Sequence, residues 1–137
     1  MPDPTENPPM IYRTAYDTAT GQLRWVAFGV EGLIDFPEEP GLGWVDGEWL
    51  AATHYVLGGV VTARPATGLP ATHSMATSTD WAVPDVPEGT DVLVDGAVAG
   101  TVDAGGLVLS FGLAGVWHVE LRPPFPWLAA SCEVIVT

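Results

Sequence analysis

Lysine is absent from this 137-residue chain, and asparagine (Asn7) and cysteine (Cys132) occur once each. Its basic charge comes from four arginines, Arg13, Arg24, Arg64 and Arg122, set against 17 acids, for a net charge of −13. This balance argues against a nucleic-acid partner, because phosphate binding draws its affinity from clustered Lys and Arg. An anionic membrane surface is an equally poor partner. A single cysteine closes no internal disulfide, and it cannot supply the cysteine pair of the common structural zinc sites. No apolar run approaches the ~18 residues of a membrane-spanning helix, so no membrane insertion is expected. The first residues, Met-Pro-Asp-Pro-Thr-Glu-Asn-Pro-Pro, have neither the basic start nor the apolar stretch of a signal peptide. Synthesis in a cytoplasm without export is the expectation.

Helical periodicity is also missing. Sixteen glycines and thirteen prolines would interrupt most helices. What is present is a series of short alternating runs separated by Gly, Pro and Asp turns, which predicts an all-β chain. The fold class expected is one or two small antiparallel β-sandwich or barrel units with a Pro-rich N-terminal arm. Residues 1–9 are that arm, and 10–70 a region of β-hairpins. Residues 71–87 are a linker or extended connector, and 88–137 a C-terminal β module. Within 10–70, Asp17 to Gly21 predicts a hairpin loop, and Gly58-Gly59 and Asp46-Gly47 predict tight turns. Alternation after that first loop puts Leu23, Trp25 and Ala27 on one face. In the C-terminal module Asp95-Gly96 turns one hairpin. Val116 to Arg122 then alternates, with Trp117, Val119 and Leu121 on one side.

Reactive chemistry finds little support. His54, His73 and His118 form no close pair with metal-ligand spacing. No serine sits in a Gly-x-Ser-x-Gly elbow, and no glycine-rich loop ends in the Lys-Ser or Lys-Thr of a phosphate site. Cys132 lacks a basic neighbour to activate it and reads as a small buried hydrophobe. Loop carboxylates such as Glu38, Glu39, Asp46 and Glu48 read as solvated charges rather than a calcium site. No catalytic residue, metal or cofactor is expected. Six tryptophans remain as the main binding chemistry. Trp25, Trp117 and Trp127 read as core. Trp44, Trp49 and Trp81 lie nearer turns and are the candidates for a protein interface or a glycan-binding face.

Residues 88–102, Glu-Gly-Thr-Asp-Val-Leu-Val-Asp-Gly-Ala-Val-Ala-Gly-Thr-Val, resemble the opening of a PEGA-type surface-layer module. Residues 113–121 resemble its middle, and Val134-Ile135-Val136 its closing strand; Pro123 to Trp127 stands where that family has Gly-Tyr. The whole layout is similar to small virion proteins of tailed bacteriophages, with a Tyr16-to-Gly21 hairpin and a Thr53-to-Pro65 segment ahead of a compact β module. That resemblance implies a non-enzymatic virion part, in a tail, tail tip, fibre or head decoration. Its partners would be other virion proteins, and it would form a homo-oligomer in a symmetric assembly. The alternative is a carbohydrate-binding or adhesion module recognising a host surface glycan.

Overall fold

A computed structural model describes residues 9–33 and 35–137. The arm expected over residues 1–9 lies, up to residue 8, outside them. The chain is all-β, with no helix among the described residues. It divides into two compact units, Met1–Arg64 and Pro65–Thr137.

The first unit is built on β1 (Met10–Asp17), β2 (Leu23–Val30) and β3 (Leu42–Asp46). They form an antiparallel sheet in the order β2-β1-β3. Asp17 caps the β1–β2 turn by accepting the amides of Ala19 (2.8 Å) and Thr20 (3.3 Å). A separate hairpin, β4 (His54–Leu57) and β5 (Val60–Ala63), turns at Gly58-Gly59. Both glycines have positive φ, 58° and 81°, the conformation that a two-residue hairpin turn requires. This hairpin docks through the Val56 amide, which donates to the Gly21 carbonyl at 2.8 Å. A side chain at Gly21 would collide with the Val56 carbonyl oxygen, so glycine is needed for the close approach as well as for its φ of 80°. The apolar interior is small: among the described residues, Ala15, Leu23, Tyr55 and Val56 are its buried hydrophobic ones.

Asp46-Gly47 does not turn a hairpin. Gly47 has the positive φ (96°) that its sequence advertises. However, its amide donates to the Tyr12 carbonyl at 2.8 Å, and Trp49 follows outside any strand. The Thr14 hydroxyl donates to the Gly47 carbonyl (2.9 Å) and accepts the Trp49 amide (3.1 Å). A 1% exposed threonine thus fixes where the chain leaves β3.

The second unit carries the larger core. Its five-stranded sheet has the order β6 (Thr72–Met75), β12 (Ala130–Val136), β11 (Gly115–Arg122), β8 (Asp91–Val94) and β9 (Ala97–Thr101). All neighbours are antiparallel except β6 and β12, which are parallel. A two-stranded sheet pairs β7 (Trp81–Val83) with β10 (Leu107–Leu109). The alternation read for β11 holds: Val119 and Leu121 are 1% and 0% exposed, while His118 and Arg122 face solvent. Cys132, Val134 and Val136 from β12 join them, with Val83 and Leu109 from the small sheet closing the sandwich core. The segment 71–87, expected as a connector, therefore contributes β6 and β7 to this unit, and the division falls at Arg64/Pro65. The physical reason is the pairing of β6 with the far end of the chain, which no local pattern announces.

Candidate interaction surfaces

The sheet of the first unit places different chemistry on its two faces. On one, Trp44 lies opposite Ala15. The Trp44 ring meets Trp25 edge-on (centroids 6.4 Å, 81°) and Phe36 at 5.2 Å and 64°. Its indole N–H donates to the Pro37 carbonyl at 3.1 Å, so the loop before β3 folds down onto it. The Arg13 guanidinium carbon sits 4.5 Å from the Phe36 ring centroid, and its Nε pairs with Asp46 at 3.2 Å. Ala15, opposite Trp44, is fully buried. Nearby, Arg24 and Asp17 form an ion pair at 2.9 Å. The Arg24 hydrogen bond, helped by the Ala19 amide, holds the Asp17 carboxyl below its ordinary value.

On the other face Tyr12 and Phe28 stack, with centroids 5.8 Å apart. They are 41% and 61% exposed, and Met10 beside them is 46% exposed. The β4–β5 hairpin adds exposed Leu57 and Val60 to the apolar surface of this unit.

The three tryptophans singled out in the sequence are not brought together. Trp44 belongs to the Trp25–Phe36 cluster. Trp49 returns its indole N–H to the Asp46 carbonyl (2.8 Å) and lies against His54 at 5.0 Å. Trp81 is in the second unit, stacked on His73. Each is partly buried and each has a local structural partner. Trp25, expected in the core, is instead the most exposed tryptophan, at 51%. The cause is a β-bulge. Tyr16 pairs with Leu23 but Thr14 pairs with Val26, so one extra β2 residue lies between them. Leu23 is turned inward (4% exposed) and Trp25 outward, which breaks the face they were expected to share.

No cluster of three or more His, Cys, Asp or Glu suited to a metal ion occurs among the described residues. Cys132 is buried, and burial pushes its thiol pKa up, the direction that suppresses thiolate. In the second unit, a shallow cleft of about 280 Å³ lies between β9 and β10.

Comparison with protein-family models, with curated proteins and with solved structures finds no match in any of the three. The class defined by the chain itself is an all-β protein of small antiparallel sheets.

Proposed function

We propose that this chain is a non-enzymatic docking module of a larger protein assembly, with a tailed-bacteriophage virion as that assembly. The observation that carries the docking reading is the exposed apolar display of Met10, Tyr12 and Phe28 on a regular strand pair. Isolated exposed apolar residues are ordinary, but a contiguous stacked set on a rigid sheet is what a protein interface uses. The virion is supported by the sequence layout alone. Light scattering on the full chain, alone and mixed with the products of its neighbouring genes, tests the reading. Association is expected, and it is lost on changing Tyr12→Ser with Phe28→Ser. A strict monomer under every condition would count against it.

A glycan-binding reading is favoured by a separate observation. Exposed Trp25 meets Trp44 edge-on, and Trp44 shares its sheet face with the Arg13–Asp46 pair, so that face offers both an apolar ring and planar polar groups. Glycan-array binding lost on Trp25→Ala would support this reading, and an array without binding would remove it.

A further inference from the structure

We infer that the cleft between β9 and β10 accepts an extended, basic segment of a partner protein as an added β-strand. The two strands are consecutive in the chain and joined by a tight turn, yet they do not pair as a hairpin. Only the bridge Asp103↔Gly106 forms between them, with the Gly106 amide donating to the Asp103 carbonyl at 3.2 Å. Beyond it they are drawn into different sheets. Val102 exchanges hydrogen bonds with the residues leading into β8: its amide donates to Thr90 and its carbonyl accepts from Gly89, both at 2.8 Å. Leu107 pairs instead with Val83 of β7. The hairpin is split open, and each strand has one edge without a strand neighbour among the described residues.

The split has the make-up of a strand receptor. All five residues of β9 are exposed, and none is charged or proline. Natural sheets usually guard such an edge with lysine, proline or a cover. Ala99 is the extra residue of a bulge, with no partner on β8, and it lines the cleft. Val92 and Leu109, both core residues, also line it, and Val108 is 56% exposed beside them. An added strand would therefore gain main-chain hydrogen bonds and an apolar contact for alternate side chains.

Charge selects the occupant. Asp95 lies in the turn before β9, Asp91 pairs with Thr101 at its end, and Asp103 lies in the turn after it. Arg122 is the single Lys or Arg between 65 and 137. A second copy laid antiparallel along β9 would bring its own Asp95 against Asp103, and like charges there repel. A segment with Lys or Arg flanking a short alternating apolar run complements the site. This surface is independent of the first-unit face described above.

The test uses the full chain and the synthetic peptide Lys-Val-Thr-Val-Thr-Val-Lys, with a glutamate-ended twin and a twin with a central proline. Amide hydrogen exchange and peptide anisotropy are the readouts. The lysine-ended peptide is expected to slow exchange across Ala97–Thr101 and Leu107–Leu109, and to weaken as salt rises. A side chain at Gly100 meets nothing within 4 Å, so Gly100→Lys is expected to fold normally, as its thermal melt will check. That variant should bind about tenfold more weakly or worse, because it sets a cation at the edge, while Gly100→Ala should still bind. The proline twin should fail for want of an N–H. No protection at millimolar peptide, equal binding of the glutamate twin, or indifference to Gly100→Lys would each overturn the inference. So would self-association of the wild type that Gly100→Lys abolishes, since a second copy would then be the occupant.

Discussion

The imidazole of His73 lies flat on the indole of Trp81, with ring centroids 3.6 Å apart and planes 9° from parallel. His73 is on β6, at one end of the five-stranded sheet, and Trp81 is on β7 of the two-stranded sheet. The stack therefore ties the two layers of the second unit together at that edge. Trp81 also packs against the apolar core. Replacing Trp81 by Ala should remove both contacts and destabilise the unit by about 2–4 kcal/mol, less than a fully buried tryptophan would cost. His73→Ala removes the stack alone and should cost about 1 kcal/mol. Chemical denaturation checks both values. In the wild type the His73 ring protons should resonate upfield, under the indole ring current, and return to ordinary positions in Trp81→Leu.

Leu121 is fully buried at the centre of the sandwich, whereas Trp25 is half exposed on the sheet of the other unit. The larger side chain should matter less to stability. Leu121→Ala is expected to cost about 2–5 kcal/mol through lost burial and the cavity left behind. Trp25→Ala should cost about 1 kcal/mol or less, mainly through its edge contact with Trp44. Urea melts of the two variants decide this. Reversal of the order would mean that Trp25 is covered in solution.

These two residues also show what the sequence made legible. Leu121 is readable because β11 alternates without interruption, so its face follows from counting by two. Trp25 is not, because the bulge opposite Ala15 adds a residue and reverses the count. The turns divide in the same way. Gly58-Gly59 and Asp95-Gly96 take positive φ and reverse the chain between paired strands, as their local chemistry requires. Asp46-Gly47 carries the same local signal, but the hydroxyl of Thr14, more than thirty residues away, decides where the chain goes. The parallel pairing of β6 with β12 has no local signature at all, so the division at Arg64/Pro65 cannot be read from local pattern. Of the candidate surface, the importance of tryptophan was legible. Which tryptophan faces solvent was not, because that depends on register.

The Asp17–Arg24 pair makes the first turn sensitive to acid. Asp17 has its folded pKa lowered, chiefly by the Arg24 hydrogen bond and then by the Ala19 amide. A lowered carboxylate contributes stability above its unfolded value and loses it as pH falls through the folded value. The contribution should therefore be intact at neutral pH and disappear below the ordinary value of 3.8. Carboxyl-carbon NMR should give Asp17 a midpoint below 3.8, and Arg24→Ala should move it back upward. The Ala19 and Thr20 amides should lose exchange protection over the same range as the carboxylate that accepts them is protonated.

Thr67 carries a buried hydroxyl oxygen with no hydrogen-bond partner among the described residues. Burying a hydroxyl without a partner costs about 1–3 kcal/mol, whereas an apolar group of the same shape avoids that cost. Thr67→Val should leave the fold unchanged and raise stability by about 1 kcal/mol, against the usual trend for substitution at a buried site. A melt showing marked loss of stability would mean that the hydroxyl is hydrated in solution.

Cys132 provides a probe of the second unit that needs no mutation. Its side chain is 2% exposed within the core, and its thiol is held protonated first by burial and then by the nearby charge of Glu133. Thiol reagents attack the thiolate, so both access and ionisation oppose reaction in the folded state. Labelling by a disulfide reagent at neutral pH should be negligible in buffer and should rise with denaturant along the unfolding curve of this unit. The same measurement on Leu121→Ala should show labelling at lower denaturant, by the stability that substitution removes, because Leu121 and Cys132 belong to one packed core. Rapid labelling of the native wild type would require β12 to open independently of β11, against the seven-residue register that joins them.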